Sequence, residues 1–219
     1  MHVILSLCAV VGIWRHLSLQ MKPVQWLAVG AMTMWGFLTA LQYVMYFYRN
    51  FQWATPWGST TVTPLNSDVF LLRVTVPRSF TVKGGEYVYL WMPRVSFWSF
   101  LQSHPFMVSW WEAKGNSLDL FMLVEVRRDT RGMTSHLIRH TASSLLTMIG
   151  GPHGFEHGYD EFGTVLMIAS GIGIASQLSH IKFLVEGYHR REVRTRRICL
   201  VWQIEEESMN KDPHFVKPR

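Results

Sequence analysis

Three features of the sequence predict a chain of mixed class, membrane α plus α/β. They are a 23-residue run without a charge near the N-terminus, a series of short β-branched and aromatic segments broken by glycine, proline and polar turns, and a glycine turn set between an apolar strand and a helix. The architecture they imply is two transmembrane helices, then an antiparallel β-barrel, then the opening of a parallel βαβ unit. With 219 residues the chain holds one ordinary domain plus an appendage, or parts of two. Hydrophobic residues make up 48% of it and crowd into the first fifty positions, which points to a membrane rather than to a wholly soluble protein. The net charge of +6 does not point to nucleic acid, because lysine and arginine are scattered except in the run His189 to Arg197, which reads as a solvated connector between two apolar segments. Cys8 and Cys199 lie far apart inside apolar runs, so neither a disulfide framework nor a metal cluster follows from them.

The charge-free run is Trp26 to Tyr48, introduced by Lys22 and Pro23 and closed by Arg49. Its length spans a bilayer core as a helix, and Trp26, Tyr46 and Tyr48 fall at its ends, where interfacial aromatics belong. The earlier run Val3 to Trp14 lacks both the basic start and the small-residue cleavage site of a signal peptide, so it reads as a second membrane helix. His2 and His16 bracket it. Fourteen residues of α-helix bring the two back to within roughly 40° of one face, about 21 Å apart along the axis. On spacing alone they read as interfacial histidines at the two helix ends rather than as metal ligands.

After Arg49 the pattern becomes one of strands: Ser59 to Leu65, Asp68 to Val76, Glu86 to Trp91, Pro105 to Trp111, Leu118 to Val126 and Leu145 to Ile149, interrupted by a helix over Met133 to His140. Short strands at this spacing predict a small antiparallel barrel or sandwich. Beyond Gly154 the period changes. Thr164 to Ala169 is an apolar strand, Gly171 to Gly173 a tight turn, Ile174 to Glu186 a helix and Arg197 to Ile204 a second apolar strand, the order of a partial Rossmann-like unit. A glycine turn there lets backbone N–H groups and a helix N-terminus approach a diphosphate, although SGIGIA is shorter than a full dinucleotide fingerprint and serves a purely structural turn equally well.

Taken in order, the two histidine-bearing apolar segments, KGGEYVYLWMP, SHPFMVSWWE, RRDTRGMTSHL, GGPHG, VLMIASGIGIASQL and RICLVWQIE resemble the C-terminal half of the ferric reductase and NADPH oxidase superfamily, in detail that of fungal ferric-chelate reductases. The resemblance implies three cofactors: FAD, NAD(P)H and haem. His104, Pro105 and Phe106, with Met107, Val108 and Ser109, would lie on a barrel strand beside FAD, the aromatic ring against the flavin or ribose. The family has Thr or Ser where Met107 stands. A thioether cannot donate the hydrogen bond a hydroxyl would, and Ser109 replaces it only if the strand is regular. Arg131, Gly132, Met133 and Thr134 match a helix-start motif that would take the FAD pyrophosphate. Ser170, Gly171, Ile172, Gly173 and Ile174 match the NAD(P)H diphosphate loop, and His2 and His16 would ligate two stacked haems with partner histidines from an earlier helix.

The implied domain order is a haem-bearing helix at 1–19, a transmembrane helix at 24–49, a flavin-binding barrel at 50–160, a partial NAD(P)H-binding domain at 161–204 and a polar tail at 205–219. The later Cys-Gly motif of the family and the partner membrane helices are missing, which reads as a fragment of a larger reductase. The parent chemistry passes electrons from NAD(P)H through FAD and haem to a ferric or cupric chelate across the membrane, with no general acid or base required. The resemblance places the protein in the plasma membrane with its flavin domain in the cytoplasm. Two other readings stand beside it: a non-catalytic membrane protein that keeps a flavin-binding barrel, and a membrane-anchored flavoprotein without haem.

Overall fold

The structure is a computed structural model and describes residues 2–17, 22–53, 57–66, 68–93, 95, 102–125, 144–154 and 158–204. The chain divides into two compact units, Met1–Tyr48 and Arg49–Arg219.

The first unit is helical: α1 spans His2–Leu17 and α2 spans Lys22–Asn50. Among the described residues one helix, over Gln25–Asn50, is long and apolar enough to cross a membrane. It bares Trp35, Phe37, Tyr43, Val44 and Phe47 to its surroundings, as expected where lipid replaces a protein core. At 16 residues α1 is helical as expected but below the roughly 20 that a span requires. The Gln25 side-chain amide donates to the carbonyl of Leu17, 3.2 Å away.

The second unit begins with Arg49 and Asn50, the last residues of α2, and continues as seven antiparallel strands. These are β1 Gly58–Pro64, β2 Val69–Val76, β3 Tyr87–Trp91, β4 His104–Met107, β5 Trp110–Lys114, β6 Ser117–Glu125 and β7 Ser144–His153. Their order in the sheet is β4-β3-β7-β1-β2-β6-β5. The two edge strands, β4 and β5, are separated in sequence only by Val108 and Ser109, so the sheet has to curl until its ends meet. At the seam, Val108 N–H donates to Glu86 O on one side and Ser109 N–H to Phe121 O on the other. The segment Pro105 to Trp111, expected as one strand, is therefore two strands at opposite ends of the sheet, divided at the closure.

Inside the curl lie Leu72, Val74, Leu90, Met92, Leu120 and Met122, all fully buried. The alternation of β2 and β6 sends every second residue inward, and register pairs Leu72 with Met122 and Val74 with Leu120. Two polar devices finish the barrel. The Asn50 amide donates to Ile149 O (2.8 Å) and accepts from Ile149 N–H (2.6 Å), pairing β7 just past the point where β1 begins opposite Thr147. On the outer face, Asp119 is buried beneath Arg73 (2.7 Å), Lys114 (3.0 Å) and the Thr75 hydroxyl (2.7 Å).

The remaining elements are β8 Thr164–Ser170, a 3-10 turn Gly171–Gly173, helix α3 Ile174–Arg190 and β9 Arg197–Gln203, with β8 and β9 paired in parallel. This is the strand, turn, helix, strand order expected, with α3 one turn longer. Val165, Met167, Leu184 and Val193 form a small core under α3. On the opposite face Leu166 and Ile168 are exposed, as are their register partners Cys199 and Val201.

Contacts to α3 fix this unit against the barrel. Gly85 N–H donates to Ser179 Oγ at 3.0 Å. A Cβ on Gly84 or Gly85 would stand 2.8 or 2.6 Å from the His180 imidazole, and Gly85 has φ of +84°. The Lys182 ammonium sits 4.4 Å above the Trp110 ring and 5.2 Å from that of Trp111, while pairing with Glu186 at 2.6 Å.

Candidate functional site

Strand β3 reads YVYLW, and its alternation sends Val88 and Leu90 into the barrel and leaves Tyr87, Tyr89 and Trp91 half-buried on the outside. Register carries that outer face onto both neighbours. Tyr87 pairs with Met107 and Tyr89 with Pro105 on β4, while Tyr87 pairs with His153 and Tyr89 with Gly150 on β7. The rings assemble there: Tyr87 to Tyr89 at 5.7 Å, Tyr87 to His153 at 5.6 Å and Tyr89 to His153 at 5.4 Å between centroids. Burial, and then the adjoining Tyr89 hydroxyl, raise the Tyr87 phenol above its ordinary value.

Beside the rings the chain is built of glycine. Gly150 and Gly151 carry no side chain into this face, and Gly151 and Gly154 have φ of +114° and +130°, a region that favours glycine. A ring cluster edged by glycine backbone and by Pro105 and Met107 suits one side of a flat, partly polar molecule.

The structure reassigns part of the HPF segment. Pro105 and Met107 do face outward, and His104 is half-buried. Phe106 and Val108 point into the barrel and belong to its core, because strand alternation gives them the opposite face. The phenylalanine ring, expected against the cofactor, packs in the barrel core. Ser109 does not take the place of the hydroxyl missing at Met107, since the break between β4 and β5 buries it and its Oγ accepts from Leu123 N–H at 3.4 Å. Arg131, Gly132, Met133 and Thr134 lie outside the described residues. Tyr87, Tyr89 and His153 were missed as a group; the period-two tyrosines of EYVYLW are the signal that would have found two of them.

A second feature stands at the C-terminal end of β8. Gly171 has φ of +49°, and a Cβ on Gly171 or Gly173 would meet nothing within 4 Å. No side chain caps α3, and the Trp202 indole donates to Gly171 O at 3.0 Å, tying the end of β9 to the turn. Free N–H groups at a helix start beyond a parallel strand form an anion site. Ser170 to Ile174 form the 3-10 turn that leads from β8 into α3. His2 and His16 lie on one continuous helix, α1, and among the described residues no cluster of three or more potential metal ligands occurs.

Residues 54–187 match the FAD-binding domain family, more than half of the chain. The chain belongs to that family. It is also 23% identical over 184 residues to ferric reductase transmembrane component 4 of Saccharomyces cerevisiae, covering 82% of this chain and 24% of that one. To a probable cell surface ferric reductase of Aspergillus oryzae it is 28% identical over 157 residues, covering 66% and 20%. The ferric reductase resemblance of the motifs is thereby supported, and the chain spans a quarter or less of these relatives. Among solved structures, the Amycolatopsis cytochrome P450 reductase aligns over 69% of this chain and 43% of its own, at 14% identity and a TM-score of 0.53, a likeness of fold. This FAD-binding domain accordingly has its aromatic outer face on the curled sheet that defines the fold. For haem the fit is incomplete: a low-spin iron takes two axial ligands, α1 offers one histidine at each end, and α2 contains none.

Proposed function

We propose that the chain is the flavin-binding part of a membrane-anchored, NAD(P)H-dependent metalloreductase, with ferric or cupric chelates as the acceptors. The observation that carries this reading is the outer face of β3, β4 and β7, where Tyr87, Tyr89 and His153 cluster beside glycine backbone in an FAD-binding domain. Bound FAD supplies the exchange between a two-electron hydride donor and one-electron acceptors.

The protein's own contribution is to hold and orient. Tyr89 and Pro105 form the floor of the face, Met107 keeps one edge apolar, and the neutral Tyr87 hydroxyl offers a hydrogen bond. Arg131 and Thr134 provide charge and a hydroxyl for the pyrophosphate, while the uncapped start of α3 after Gly171 receives the dinucleotide diphosphate of NAD(P)H. His2 and His16 each provide one axial ligand to a haem, the second coming from membrane helices outside this chain. The flavin domain faces the cytoplasm, where the reductant is, and the membrane is the plasma membrane.

The test is FAD titration of the purified full chain in neutral nanodiscs. Arg131→Ala with Thr134→Ala should weaken binding by about 2 kcal/mol, the loss of one charge-assisted bond and one hydroxyl. Equal retention of yellow flavin by the double variant overturns the pyrophosphate assignment. A stoichiometric low-spin haem spectrum from the same sample overturns the need for outside ligands.

A further inference from the structure

The end of the β8–α3–β9 unit opposite the glycine turn carries five arginines within eight residues: Arg190, Arg191, Arg194, Arg196 and Arg197. All five are exposed, and none has an ion pair among the described residues. The backbone that presents them is pinned. Val193 and Thr195 turn inward, and the Thr195 hydroxyl is held by Tyr159 O (3.1 Å) and Phe162 O (2.8 Å). Arg194 N–H donates to Asp160 O, and the N–H groups of Arg196 and Arg197 both reach Gly163 O. Helix and strand meet where the Arg196 guanidinium lies 5.3 Å from the ring centre of Tyr188, in the last turn of α3 that ends in Arg190.

A helix C-terminus favours one or two cations in its last turn, which accounts for Arg190 and Arg191. It does not account for the three beyond it. Nor does the expectation of a solvated connector, since a connector needs neither pinned backbone nor arginine to the exclusion of lysine. Guanidinium forks match phosphate oxygens two at a time, and stacking on Tyr188 leaves the N–H edge of Arg196 free. Glu192 is the sole acid inside the run. The glycine turn stands at the opposite end of the unit, so this surface is separate from the diphosphate loop.

We propose that this arginine surface binds a multiply phosphorylated anion, either a free polyphosphate ester or the same chemistry on a lipid headgroup. The full chain, in neutral phosphatidylcholine nanodiscs, is titrated with inositol hexakisphosphate and, separately, with phosphatidylcholine vesicles with or without a phosphoinositide bisphosphate. Binding of the free ester alone identifies a soluble ligand; binding of the phosphoinositide vesicles as well identifies the headgroup. In either case Arg194→Gln with Arg196→Gln should lower affinity about 100-fold, roughly tenfold per arginine, and Arg194→Lys with Arg196→Lys should recover only part of it. Both sites are exposed, so far-UV circular dichroism and flavin content should not change. The proposal is overturned if neither phosphate probe binds, if the glutamine variant binds as tightly as the parent, or if a polyglutamate peptide competes on equal terms.

Discussion

The barrel and the β8–α3–β9 unit solve the same problem differently. In the barrel each strand shows one face to a closed core, and its two edge strands meet at Val108 and Ser109, leaving inner side chains such as Leu72 and Leu120 fully buried. In the parallel unit α3 covers Val165 and Met167, while Leu166, Ile168, Cys199 and Val201 stay bare. An antiparallel sheet tolerates water on its outer face, whereas a parallel one is ordinarily covered on both. Stability of the β8–α3–β9 unit therefore rests on the barrel, and mutations should weigh differently in the two.

The largest difference is expected in the core. Leu120→Ala removes a side chain with no exposure and should cost about 3 kcal/mol in urea unfolding of the second unit, as cavity formation adds to lost burial. Next comes the joint at Asn50. Asn50→Ala strips two partners from the buried backbone of Ile149 and should cost about 2 kcal/mol, with faster hydrogen exchange confined to β7.

Asp119 sharpens the comparison through pH. Burial raises its carboxyl, but hydrogen bonds from Thr75, Arg73 and Lys114 and the charge of Arg73 outweigh that and hold it below the ordinary carboxylate range. Its contribution is thus complete above the unfolded value near 3.9 and is lost as pH falls from there through the lower native value. Asp119→Asn should cost about 1.5 kcal/mol at neutral pH and flatten the loss of stability below about pH 4. A variant with the parent's acid profile would assign that loss elsewhere. The smallest effect is expected in the other region: Leu166→Ala should change unfolding by less than about 0.5 kcal/mol, because the side chain is 63% exposed.

Local pattern was enough for most elements. Period-two alternation located β1, β2, β3 and β6 to within a residue or so, and the change of period after Gly154 located β8, α3 and β9. What it could not reveal was the closure of the sheet. Nothing in HPFMVSWW marks Val108 and Ser109 as a seam, because the break is set by where distant strands β3 and β6 lie. Reading through the seam also put Ser109 on the outer face with Met107, whereas the seam buries it. Strand β7 likewise runs four residues past Ile149, since Gly150, despite its weak strand preference, and His153 pair with β3. His153 joins Tyr87 and Tyr89 only through that extension.

The most direct test of the flavin face is hydrogen exchange of the full chain in neutral nanodiscs with and without FAD. Protection should rise over 85–91, 104–108 and 150–154 and remain unchanged over 164–168 and 198–202, and Tyr87→Ala with Tyr89→Ala should abolish the difference. Protection confined to the β8–β9 segment, or unaltered in the tyrosine variant, would contradict the placement of flavin on the outer face of β3, β4 and β7.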